Sequence, residues 1–174
     1  MSPGSLNFDD LINSTQHSAV HLEMRDAYGV AEENADFAAW KAGDRSSRYD
    51  RTGRRREWLN LVAHTVSRGV IMRRARVVSE PVSDYIRFEH EGTLLNIEAG
   101  ELIRWLPRRH ASDIPLPGND FWLFDQRVVR FGHFSGNGAY VGDAFTDQPA
   151  VAKMCAAAFE AVWERAVPHH EYQV

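Results

Sequence analysis

Residues 117–134 read PGNDFWLFDQRVVRFGHF. Phe121, Trp122, Leu123 and Phe124 are consecutive, so a strand here is covered on both faces, as in the centre of a sheet. Asp120 and Asp125 bracket it, and Val128–Phe134 supplies a second β-rich run after a two-residue gap. The plainer reading of both carboxylates is turn chemistry. The sharper one makes Asp120 a pocket carboxylate near His133, since a histidine–aspartate pair can do acid–base work. A lone strand histidine is more often a satisfied core residue.

Upstream, Ser18–Met24 reads as a strand, and Arg54–Arg68 as an amphipathic helix ended by Gly69. Val70–Val78 (VIMRRARVV) is β-rich, with Arg73, Arg74 and Arg76 embedded. Leu6–Thr15 and Ala31–Ala42 favour helices; so does Val82–His90, with Pro81 in its first turn. Leu102–Leu106 is a short strand closed by Pro107. The Asn137-Gly138 pair predicts a type I′ hairpin, and Ala139–Phe145 the strand after it.

Val151, Met154, Cys155, Ala158, Phe159, Val162, Trp163 and Ala166 form a stripe along a last helix, with Asp147 as N-cap and Pro149 in the first turn. Cys155 lies in that stripe and reads as an inert buried thiol. The fold class is therefore α/β: one mixed sheet with helices packed on it and a long C-terminal amphipathic helix. The predicted organisation is a leader over 1–5, one domain over 6–167, and a solvated tail over 168–174.

The chain of 174 residues suits one domain with a sizeable core. No apolar run approaches the ~20 residues of a membrane helix. The N-terminus lacks a basic region followed by an apolar one, so no secretory signal is read. One cysteine excludes an intramolecular disulfide and a cysteine-rich zinc cluster, which favours a reducing cytoplasm. Residues 41–56 hold seven basic and two acidic residues and are predicted to be an exposed loop. That excess of five positive charges leaves the rest at −9 against a total of −4. The loop lacks interleaved aromatics, so direct nucleic-acid binding is disfavoured. Phosphate-loop, dinucleotide and HExxH motifs and the serine elbow are all missing, and neither cofactor nor metal is read from the chain.

A second constellation surrounds Arg73, Arg74 and Arg76: Glu80, Asp84, Arg87 and Glu89 follow on or near the next helix. The plainer reading is an internal ion-pair network. The sharper one is a pocket for an anionic ligand or acidic partner, with Arg104 and Trp105 contributing.

Several segments, among them HLEMRDAYG, RGVIMRRARVVSEPVSDYIRFEH, AGELIRWLPRR, NDFWLFD and FEAVWERAVPH, resemble an uncharacterised domain family of actinobacteria, especially streptomycetes. Its members are commonly encoded beside helix-turn-helix regulators and small acidic proteins of the WhiJ type. That resemblance implies a non-catalytic cytoplasmic accessory protein whose partner is such a regulator, in development or specialised metabolism. Alternatives are an enzyme on phosphodiester or small phosphorylated substrates using Asp120, Asp125 and His133, and a small-anion sensor.

A second resemblance is architectural. A strand ending in aspartate, a hairpin and a terminal F-E-x-x-W helix are similar to one half of the phospholipase D superfamily, which implies pairing, hence a homodimer by analogy. That superfamily uses H-x-K-x-x-x-x-D. With Asp125 as the motif aspartate, Gly118 falls at the histidine and Asp120 at the lysine. The ordinary active site is then missing, and the reading favours binding over catalysis.

Overall fold

The computed structural model describes residues 7–174, so the predicted leader lies outside the described residues. Seven strands form one sheet in the order β6-β5-β4-β1-β2-β3-β7. The strands are β1 (Ser18–Glu23), β2 (Ile71–Val78), β3 (Leu102–Pro107), β4 (Phe121–Phe124), β5 (Val128–Phe134), β6 (Tyr140–Thr146) and β7 (Val167–Pro168). Strands β1, β2 and β3 run parallel, and every other pairing is antiparallel. The helices are α1 (Phe8–Ser14), α2 (Asn34–Lys41), α3 (Ser46–Tyr49), α4 (Gly53–Ser67), α5 (Asp84–Glu98) and α6 (Pro149–Arg165). This is the mixed α/β architecture the sequence predicts, with β4 buried at every position.

Strand alternation divides the sheet into two unlike faces. Val20, Leu22, Ala75, Val77, Phe121, Leu123 and Val129 face α6 and meet its Cys155, Phe159 and Val162. Cys155 is fully buried, and burial pushes its thiol up to about 11, as expected of an inert core cysteine. Met154 of the predicted stripe is instead half-exposed, and Ala152 is buried.

The other face carries two separate apolar clusters. Around α1 and α4 are Leu11, Ile12, Val62, Met72, Trp122 and Phe124. Around α2 and α5 are Trp40, Tyr85, Phe88, Ile103, Trp105 and Tyr172. Polar side chains of the sheet occupy the gap between them.

Several boundaries differ from expectation. Helix α5 begins at Asp84, where Ser83 caps it by accepting from the Ile86 N–H at 3.1 Å, and Pro81 precedes it. It continues to Glu98, past Gly92 and Thr93, because its second half is held by tertiary packing. Gln148, not Asp147, is the N-cap position of α6. The type I′ geometry falls at the β4–β5 turn, where Asp125 and Gln126 have φ of 48° and 54°. Of Asn137-Gly138, only Gly138 is left-handed.

Residues 41–56 are not a free loop: they contain α3 and the start of α4, and arginines strap them to α5. Arg48 is 3% exposed, its guanidinium 3.4 Å above the Phe88 ring. Arg45 stacks on Trp40 at 4.3 Å and pairs with Glu91 at 3.3 Å. Arg51 pairs with Glu98. Guanidinium groups can stack on rings and bond carbonyls at once, which makes this basic segment adhesive. The predicted tail also docks. Val167–Pro168 pairs with β3, and Tyr172 stacks on Trp105 at 5.6 Å with an interplanar angle of 5°.

A charged cleft on the helix-paired face

Register fixes the centre of the site. Across the sheet, Arg130 of β5 lies opposite Trp122 of β4, Trp122 opposite His21 of β1, and His21 opposite Arg74 of β2. One pleat further along, Glu23 lies beside Arg76, and Arg76 beside Trp105. The same alternation that sends Val20 and Leu22 into the α6 core sends His21 and Glu23 to this face.

Glu23 joins the two arginines. Its Oε1 accepts from Arg74 Nη1 at 2.8 Å, and its Oε2 is 2.6 Å from Arg76 Nε. Arg74 also donates from Nε to Glu101 at 2.7 Å, and Arg76 from Nη2 to Glu89 at 3.0 Å. Glu101 is 1% exposed and also accepts from Asn96 at 2.8 Å. Burial raises the Glu23 carboxyl, but the flanking Arg76 and Arg74 overcome it and hold the group at about 2. Burial lowers the Arg74 guanidinium, and Glu101 and Glu23 more than restore it. His21 stacks on Trp122 at 4.3 Å, and burial holds its pKa well below the ordinary value. Arg130 donates to Asp143 of β6 at 2.6 Å and lies 4.9 Å from the Phe8 ring.

Helix α4 adds Arg55 and Trp58, and α5 adds Glu89, Gly92, Thr93 and Asn96. Gly92 matters because it has no side chain. A Cβ there would stand 2.8 Å from Arg48 Nη1 and 3.0 Å from Arg55 Nη2, which donates to the Gly92 carbonyl. Two adjoining chambers open between the helices and the sheet, of about 330 Å³ and about 230 Å³. Glu33, Arg74, Glu89, Trp122 and Arg130 line both.

The predicted site residues divide. Arg74, Arg76 and Asp120 line the cleft, and Trp105 lies behind it, 4.9 Å beneath the Arg76 guanidinium. Arg73 and Arg104 point to the other face. Arg73 pairs with Glu160 at 2.5 Å, and Arg104 donates to the Trp163 carbonyl at 3.0 Å. Asp84 and Arg87 pair with each other on the surface at 3.4 Å. Asp125 accepts from the Gln16, His17 and Ser18 N–H groups at 2.9, 2.7 and 2.9 Å, tying the β4 turn to the start of β1. Partial burial raises its carboxyl, and those three N–H donors bring it below the ordinary range.

Asp120 and His133 do not meet. Arg130 and Gly132 face the cleft, so alternation turns His133 to the opposite side. Asp120 accepts instead from the Met24 N–H at 2.9 Å and from the Tyr28 hydroxyl. Burial pushes its carboxyl up to about 6, opposed by the Tyr28 bond and reinforced by nearby Glu23.

Glu23, Glu101, Arg130 and Arg55 are site residues the sequence reading missed. The alternation of V-H-L-E in β1 and V-V-R-F in β5 carried a signal for Glu23 and Arg130, since each marks a polar position on one strand face. Nothing local marks Glu101 or Arg55. Among the described residues, no group of three or more His, Cys, Asp or Glu is placed to hold a metal, and no helix is long and apolar enough to cross a membrane.

The architecture is that of a phospholipase D-like fold. The phospholipase D family member Nuc from Salmonella typhimurium aligns with a TM-score of 0.50 at 11% identity, over 95% of this chain and 88% of that one. TrmBL2, an archaeal chromatin protein, aligns at 0.49 with 12% identity, over 91% of this chain and 47% of that one. No curated protein matches the sequence. The chain belongs to the family described as domain of unknown function DUF6879, whose model matches residues 6–174.

Proposed function

We propose that the protein acts by binding rather than catalysis, with the charged cleft as the place where it takes a small ligand. One observation carries this reading: a fixed ladder of guanidinium and carboxylate groups on the sheet lies open between the α4 and α5 helices, walled by aromatic rings. Such a site offers directed charge-assisted bonds and shape. The positions where a phospholipase D-like enzyme would carry its catalytic groups support the same reading. Gly118 has no side chain to offer, Asp120 is engaged by Met24 and Tyr28, and Asp125 by three backbone N–H groups. In the setting that the actinobacterial resemblance implies, the molecule is a cytoplasmic accessory to a helix-turn-helix regulator, and ligand occupancy changes its affinity for that partner.

The test has two arms. Purified protein is assayed on a broad phosphodiester and phosphomonoester panel, and the regulator encoded beside it is titrated against wild type. We expect no turnover above that of an Asp120→Ala variant, and saturable binding of the regulator. Turnover abolished by Asp120→Ala, with the fold intact, contradicts the reading; so does failure of the regulator to bind.

A further inference from the structure

The cleft is polarised along its length. The charged residues that line only the larger chamber are both guanidinium groups, Arg55 and Arg76. Those that line only the smaller chamber are all carboxyl groups: Glu23, Asp120 and Asp143. The shared wall is balanced, with Arg74 and Arg130 against Glu33 and Glu89.

Unspent bonding capacity lies in each chamber and on the wall they share, where Arg130 Nε has no hydrogen-bond partner; His21 Nδ1 in the smaller chamber has none either. In the larger one, Arg55 Nε and Arg76 Nη1 are buried without a hydrogen-bond partner, and Arg76 is only 5% exposed. In the smaller one, Asp143 Oδ1 is buried and unpartnered. Native proteins rarely leave such groups unpaired, so each is a place for a water or a ligand atom to bond. The smaller chamber adds the rings of Tyr28, Tyr85, Phe134 and Tyr140, which a cation prefers to a bare apolar wall.

Burial also shifts groups in each chamber. Burial lowers Arg55 in the larger chamber, more than nearby Glu89 and Glu33 restore it. In the smaller one, burial and then Glu23 and Asp120 raise the Tyr28 hydroxyl, as for an acid in a negative field.

We infer that the two chambers together take one zwitterion of amino-acid size, its acid group among the arginines around Arg55 and Arg76 and its amine among Glu23, Asp120 and Asp143. The inference rests on the cleft being the binding site. It adds that neither an anion nor a cation alone satisfies it: a plain anion leaves Asp143 Oδ1 without a donor, and a plain cation leaves Arg55 Nε and Arg76 Nη1 without an acceptor.

The experiment screens full-length protein by thermal shift against the twenty amino acids, 4-aminobutyrate and 6-aminohexanoate. Each zwitterion that stabilises is then compared by calorimetry with the acid lacking the amine and the amine lacking the acid. At least one zwitterion should raise the melting temperature by a few degrees at millimolar concentration and bind roughly tenfold or more tighter than either analogue. Arg55→Gln should bring the zwitterion down to the affinity of its amine analogue. Asp143→Asn should bring it down to that of its acid analogue. If either variant fails to fold, Arg55→Lys and Asp143→Ser replace them. An acid that binds as tightly as its zwitterion overturns the inference while leaving the cleft a binding site. A panel in which no zwitterion binds also overturns it, and the regulator titration then decides separately whether the protein acts by binding.

Discussion

Asp120 shows how one position can serve structure where a related fold would serve chemistry. It is 6% exposed, accepts from Met24 and Tyr28, and its carboxyl is pushed up to about 6 from an ordinary 3.8 by burial. The native protein therefore holds this proton over a range where the unfolded chain has released it. Its contribution to stability is fully present below about pH 4 and is lost as the pH rises to about 6. That rise corresponds to roughly 3 kcal/mol. Asp120→Asn keeps an acceptor for Met24 and removes the ionisation. Urea unfolding at pH 4 and pH 7 should show the variant gaining roughly 3 kcal/mol on wild type between the two. Parallel pH dependence in the two proteins would show that Asp120 ionises freely.

At the scale of elements, the strongest dependence is the docking of the C-terminal residues on β3. Tyr172 is 7% exposed and stacks on the fully buried Trp105, whose indole N–H donates to His169 Nδ1 at 3.1 Å. The Tyr172 hydroxyl donates to Glu80 at 3.0 Å, and His90 Nε2 lies 3.2 Å from the Tyr172 carbonyl. Burial lowers His169 to about 4, so its Nδ1 is free to accept at neutral pH. Tyr172→Ala should cost roughly 3–5 kcal/mol in chemical denaturation, the usual range for a large buried ring. A cost under about 1 kcal/mol would mean that residues 168–174 are the solvated tail their sequence resembles. The mistake in reading them was physical. Val167-Pro168 is too short to show strand periodicity, and a His-His pair looks hydrophilic although tertiary packing buries His169. The basic segment at 41–56 misleads for a related reason: arginine counts as charge in a sequence, yet Arg48 is buried flat against Phe88.

Across the whole molecule, what was legible follows from periodicity. The stretch FWLF announces a central strand because both its faces are apolar, and it lies between β1 and β5. Arg74 and Arg76 could be seen as an internal network because buried guanidinium groups on a strand require carboxylates, and they have Glu23, Glu89 and Glu101. The partition of Arg73 from Arg74 was also implicit in strand alternation. Its consequence was not, because which face would meet α6 depends on topology. The cleft itself was hidden, since its walls come from β1, β2, β4, β5, β6, α4 and α5, which only the strand order brings together.

The account's central claim is that this molecule binds at the face between α4 and α5. The five indole N–H signals test it in one two-dimensional NMR titration, with a pool of the twenty amino acids as probe. Trp58 and Trp122 line the cleft, whereas Trp40 bonds Glu91 and Trp163 packs on α6's side of the sheet. The account predicts that the Trp58 and Trp122 signals move and saturate while those of Trp40 and Trp163 stay in place. Five signals indifferent to every component of the pool would overturn the zwitterion inference alone, whereas saturable movement of Trp163 with Trp58 and Trp122 unmoved would contradict the central claim.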